Sequence, residues 1–217
     1  MLTDMLRRPQ RPGEPAPQAI PRAAGNPAEP VVASRAFPKF LSTLSGREHS
    51  TFIDLGPAVG SNLEFFAART ACKFFIDDLF AEIEAQGAAG TREKLATSLP
   101  ARVTQPDASV DAVLCWDIFD FLDKAAAQGL ARELVRVLKP GGALFGFFYN
   151  QIGHQKTQYT KFIIEDETHF RHRTSPATPV PVQVLPNRDI IRLFEGLLVS
   201  DSFLLLTHTR EIVFRKK

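Results

Sequence analysis

An α/β fold with a doubly wound sheet is what this sequence predicts: mostly parallel, with an antiparallel strand pair at the C-terminus and a β-hairpin inserted after the fifth strand. Three observations predict it. Short apolar runs alternate with helix-period segments from residue 34 to residue 149, the signature of a parallel sheet with helices on both faces. The run Ala143 to Tyr149 is apolar throughout, as a central strand covered on both sides must be. The C-terminal third then breaks the alternation: strand-like runs Lys161–Ile164 and His169–Arg173 flank a polar turn, and Leu197–Leu206 and Glu211–Arg215 end the chain.

Each element has a local reason. Residues 1–33 hold seven of the sixteen prolines and few large apolar groups, so they are expected to be a disordered tail. The ordered domain, 34–217, is expected to open with a helix carrying Phe37, Phe40, Leu41 and Leu44 at helical spacing, with Gly46 ending it. Thr51–Leu55 reads as a short buried strand and Gly56–Gly60 as a turn. Ser61 can cap a helix holding Leu63, Phe65 and Phe66. Cys72–Asp77 is a second strand, and residues 79–98 are helical with a break at Gly87 and Gly90. Residues 99–109, with Pro100 and Pro106, give only a poor third strand. Val110–Trp116 is a clear fourth strand. Asp120 and Asp123 are candidate caps for an amphipathic helix over 123–138, stopped by Pro140-Gly141-Gly142. Asn187 can cap a short helix ended by Gly196.

Composition narrows the function. The 217 residues carry a net charge of only +2, so neither a nucleic-acid nor a membrane-surface partner is expected. No apolar run approaches the length of a membrane span, and no apolar stretch follows Arg7 and Arg8. Cys72 and Cys115 sit in strand-like runs without ligand spacing, which points to a reducing, cytoplasmic setting. His169 and His172, three apart in a strand, fall on opposite faces. They and His154 read as surface residues, and no metal site is expected.

The chemistry concentrates in Phe52-Ile-Asp-Leu-Gly-Pro-Ala-Val-Gly60. A strand ends on an acid, a glycine turn follows, and a helix N-terminus offers free N–H groups beside it. That is the ligand corner of doubly wound sheets. Asp77 and Asp78 close the next strand, where a carboxylate can accept both hydrogen bonds of a ribose diol. Trp116 is a candidate stacking or core residue. Asp117 is the candidate catalytic polar group beyond the fourth strand, with a helix cap as its plain alternative. Tyr149, Asn150 and Tyr159 are candidates to line a pocket, and the hairpin is a candidate lid.

Four segments in this order resemble class I S-adenosylmethionine-dependent methyltransferases, a Rossmann-like family: Asp54-Leu-Gly-Pro-Ala-Val-Gly60, the Asp77/Asp78 pair, Val110-Asp-Ala-Val-Leu-Cys-Trp-Asp117, and Leu134-Val-Arg-Val-Leu-Lys-Pro-Gly-Gly142. The resemblance implies S-adenosylmethionine as cofactor. It implies that Asp54 orients the turn and the cofactor's amino group, and that Gly56, Ala58 and Gly60 run beside its methionine part. Asp77 or Asp78 would bind the ribose, and Cys115 and Trp116 would face the cleft. It also implies a small-molecule acceptor, methylated by in-line displacement. Two departures stand out: Ala58 replaces the family's middle glycine, and no clear acid near adenine follows the third strand, where only Gln105 and Asp107 are available. A nicotinamide-binding reading fits less well, because the Gly-x-Gly-x-x-Gly pattern is absent. A non-catalytic binding protein that keeps the fold is the alternative.

Overall fold

The structure, a computed structural model, describes residues 29–151, 155–182 and 184–217. Strands β2 (His49–Asp54), β3 (Ala71–Ile76), β4 (Val110–Trp116) and β5 (Leu138–Tyr149) run parallel, and β8 (Leu197–Leu204) and β9 (Thr209–Lys216) complete a six-stranded sheet of order β3-β2-β4-β5-β9-β8. β9 is antiparallel to both β5 and β8. The expected fold class holds, including the hairpin after β5.

Alternation along the strands splits the interior into two cores. Ile53, Val113, Cys115, Leu144 and Ile212 face helices α3 (Leu79–Ala88), α4 (Leu95–Arg102), α5 (Lys124–Val137) and α6 (Asn187–Leu193). Phe52, Leu114, Phe145 and Val213 face α1 (Phe37–Ser42) and α2 (Gly60–Ala67). The second core is built largely of phenylalanine. Phe37 packs its ring 4.7 Å from Phe170 and 5.6 Å from Phe145, separations at which aromatic pairs add to simple area burial.

Several boundaries differ from the sequence reading. Val31–Ala33 form strand β1, so ordered chain begins inside the expected tail; residues 1–28 of that tail, and His154, lie outside the described residues. The 99–109 region supplies no strand. Pro100 instead lies within α4, where its ring meets α5 at Gly129; a Cβ on Gly129 would come within 2.8 Å of Pro100 Cγ. α2 begins at Gly60 with Val59 as its N-cap, not Ser61, and α6 follows Pro186, with Asn187 as its first residue. Asp123 caps α5 as expected, accepting from the Ala126 N–H at 2.8 Å. Asp120 does not; it is buried elsewhere.

The hairpin is longer than expected. β6 (Gln155–Ile164) and β7 (His169–Pro181) pair antiparallel, and β1 joins β7 to make a three-stranded sheet. This small sheet straddles the C-terminal edge of the large one. On the α2 side, Asn62 donates to the Phe162 carbonyl and accepts from the Ile164 N–H, both at 2.8 Å. On the α3 side, Glu84 accepts from the Thr178 N–H and hydroxyl, the latter at 2.6 Å. Its two ends are therefore fastened to helices on opposite faces, and the strands between them arch over the sheet.

Candidate functional site

The chain crosses from β2 out to β3 and then back past β2 to β4. The order reverses between β2 and β4, and crevices at such reversals hold ligands in open α/β sheets. Asp54 and Trp116 end those two strands.

Asp54 is 3% exposed. Its Oδ1 accepts from the Gly56 N–H at 3.0 Å and from the Trp116 indole N–H at 2.6 Å. Burial pushes its pKa from 3.8 up to about 6; the two hydrogen bonds oppose the rise and the Asp78 charge adds to it. The folded state thus holds this proton over a pH range where the unfolded chain has lost it. Stability from this group therefore falls as pH rises from about 4 to 6, by about 3 kcal/mol in all. Asp54→Asn keeps the acceptor oxygen and removes the buried charge. Urea unfolding should show the variant about 1–3 kcal/mol more stable at pH 8, an advantage that shrinks toward pH 4; a gain that does not vary with pH would refute the assignment.

Trp116 has φ +51°, a left-handed conformation that a bulky side chain adopts only under constraint, at about 1–2 kcal/mol. The constraint is visible. Its indole covers Gly56 so closely that a Cβ there would lie 2.6 Å from Trp116 Cδ1. The indole also stacks on Phe162 of the hairpin, with centroids 5.3 Å apart and planes within 5°. Gly56 has to be glycine because the indole occupies the space a side chain would need.

The other expected residues divide. Gly60 opens α2 with no atom of the described residues within 4 Å of a Cβ built on it, and Ala58 is exposed. Asp78 caps α3, its Oδ1 3.1 Å from the Phe80 N–H. Asp77 accepts from Arg102 Nε at 2.9 Å and is held in that ion pair. Cys115 does not reach the crevice: it is fully buried in the core on the α5 side, where burial and the Asp54 charge push its thiol well up. Asp107 is exposed and paired with Arg136.

Asp117 holds the N-cap position of the 3-10 turn Ile118–Phe121, but its side chain does not cap that turn. Its Oδ2 receives Lys156 Nζ at 2.5 Å, and Asp120 Oδ2 lies 2.9 Å from the same ammonium. Asp120 also accepts from the Tyr149 N–H at 3.0 Å. Burial disfavours the charge on Lys156, but the two carboxylates more than offset it and hold its pKa above the ordinary lysine value. Burial moves Asp120 upward, with Lys156 opposing and Asp117 adding. Sequence reasoning missed this triad. The available signal was two acids set among Ile118, Phe119 and Phe121: carboxylates carried into a core need a cation. His172, expected at the surface, instead borders the same cavity as the triad, as does Tyr149. Tyr159 faces away and stacks on Phe80 of α3.

The family described as "Methyltransferase domain" matches residues 53–146. No curated protein sequence matches. Among solved structures, an S-adenosylmethionine-dependent methyltransferase from Clostridium acetobutylicum is 11% identical, with 83% of this chain and 90% of that one covered and a TM-score of 0.51. A 1,6-didemethyltoxoflavin-N1-methyltransferase from Burkholderia thailandensis, with bound 1,6-didemethyltoxoflavin and S-adenosylhomocysteine, is 12% identical over 84% and 77% of the two chains, TM-score 0.50. The [4+2]-cyclase SpnF is 12% identical over 84% and 80%, TM-score 0.51. The matched segment is similar to that methyltransferase domain, and the whole chain shares the fold of these structures. The cyclase, on the same fold, shows that the reaction must be argued from the site.

The donor set suits the family's cofactor in two places: the open N-terminus of α2 and the Asp78 carboxylate beside Asp54. It suits it in a third, the backbone at Gly56, only with the indole moved aside.

Proposed function

We propose that this protein binds S-adenosylmethionine at the reversal between β2 and β4 and methylates a small-molecule acceptor. The observation that carries this reading is the corner itself: a buried Asp54, a glycine that must stay bare, an open helix N-terminus and Asp78, assembled where the sheet order reverses. When bound, the cofactor supplies an already activated methyl carbon, so the protein's task is alignment, which can lower a barrier by about 7–11 kcal/mol. In this reading Asp78 holds the ribose hydroxyls and the α2 N-terminus the carboxylate. Asp54 holds the amino group, and Asp117 faces the acceptor. Trp116 gives up its bond to Asp54 when the corner fills.

Titration calorimetry with S-adenosylhomocysteine tests it. The wild type should bind, and Asp78→Ala should bind about tenfold more weakly, the loss of a charged hydrogen bond. Absence of binding by both the wild type and Trp116→Phe would sink the reading. That result would leave the second one, a binding protein on this fold, which the Trp116–Phe162 stack favours because both rings stand between the Asp54 corner and the cavity under the hairpin.

A further inference from the structure

A cavity of about 190 Å³ lies beneath the small sheet, bordered by β1, by the turn between β8 and β9, and by the end of β5. One part of its wall is aromatic: Phe147 and Phe162 stack at 4.7 Å with planes 19° apart, and Phe170 stands edge-on to both. Asp117, Asp120, Lys156, Glu211 and His172 supply the polar part.

Most of that polar part is already satisfied. Glu211 accepts from the Arg35 and Ala36 N–H groups at 2.8 and 3.0 Å. Lys156 is shared by its two carboxylates. Asp117 is the exception. Its side chain is 6% exposed, and its Oδ1 is enclosed with no hydrogen-bond partner among the described residues. A buried acceptor left so keeps the full desolvation penalty that a hydrogen bond would offset, and such groups in folded proteins call for an explanation.

We infer that this cavity is a binding site for a single-ring organic molecule bearing a hydroxyl or amine, whose hydrogen the Asp117 carboxylate accepts while Phe147, Phe162 and Phe170 enclose the ring. Size sets the upper limit: an apolar cavity of about 150 Å³ holds a benzene molecule, so about 190 Å³ admits one ring and a small substituent. Charge sets the polarity. Three carboxylates face one ammonium, and burial pulls His172 down against the opposing pull of Asp117, toward its neutral form. The site therefore rejects anions. The site itself does not depend on cofactor binding; only the identification of its occupant as the methyl acceptor rests on the function proposed above.

Ligand-observed NMR with phenol, toluene and benzoate tests the inference, with S-adenosylhomocysteine titrated separately on the same protein. Phenol should bind with a Kd near millimolar, about tenfold tighter than toluene, its isostere without a donor. Benzoate should not bind. Thr160→Leu, which adds bulk on the cavity side of β6 and leaves the charges alone, should abolish phenol binding with the circular dichroism spectrum unchanged. Equal binding of phenol and toluene, binding of benzoate, or phenol binding that survives Thr160→Leu would each overturn the proposal. A negative result with S-adenosylhomocysteine alone would strike the methyltransferase reading and leave this one standing.

Discussion

Lys156→Met should destabilise the fold by about 3–5 kcal/mol, the cost of leaving buried carboxylates without their cation. Lys156 is the shared partner of Asp117 and Asp120, both about 94% buried at the side chain. Its loss leaves two like charges facing each other in a low dielectric, where one of them must take up a proton. The loss should therefore be greatest near pH 8 and shrink as the pH falls and the carboxylates protonate. Chemical unfolding followed by circular dichroism at pH 5 and pH 8 reads both effects. The triple variant Lys156→Met, Asp117→Asn, Asp120→Asn should recover most of the stability, because replacing a whole buried ion cluster costs far less than breaking it. A single-variant loss below about 1 kcal/mol would mean that water reaches the triad and the cavity is open.

Trp116→Ala should cost a similar amount, about 3–5 kcal/mol, from lost burial and the cavity left behind. The indole is 3% exposed and touches Gly56, Asp54, Phe145, Phe162 and Phe170. Trp116→Phe separates packing from hydrogen bonding. It keeps a ring against Phe162 and removes the donor to Asp54, so it should cost about 1.5–3 kcal/mol. Both variants should bind S-adenosylhomocysteine more tightly than the wild type, since neither has to break the Trp116–Asp54 bond first. Variants that lose stability as expected but bind more weakly would show that the indole is part of the cofactor site, as the family resemblance implies, and not a plug over it.

The elements that were legible in the sequence are those whose burial leaves a local trace. β4 and β5 read as strands because both faces are covered and the runs Ala112–Trp116 and Ala143–Tyr149 within them are apolar. α5 read as a helix because only one of its faces meets the sheet. What escaped was set by partners far away in the chain. β7 runs to Pro181 through Pro176 and Pro179, which looks like broken chain. β1 pairs only with His169 to Arg171, so the rest of β7 is an edge where missing N–H groups do no harm. Pro100 reads as part of a poor third strand, yet it lies in α4, and the neighbouring α5 offers Gly129 to receive its ring. At the site, the acid and the glycines of the corner were legible because turn geometry is local. The pairing of Asp77 with Arg102, the triad around Lys156 and the left-handed backbone of Trp116 were not, because nothing near those residues in sequence encodes who will face them.

The three residues of β1 carry more than their length suggests. Val32 and Ala33 border the cavity, the Pro30 carbonyl accepts from the His172 N–H at 2.9 Å, and Glu29 pairs with Arg173 at 2.5 Å. Anyone trimming this polypeptide for crystallisation would be tempted to cut at residue 34, where the prolines end and the first helix starts. That cut would unzip one border of the small sheet and let solvent into the chamber beneath it, so a shortened version suited to ligand work has to begin no later than Glu29.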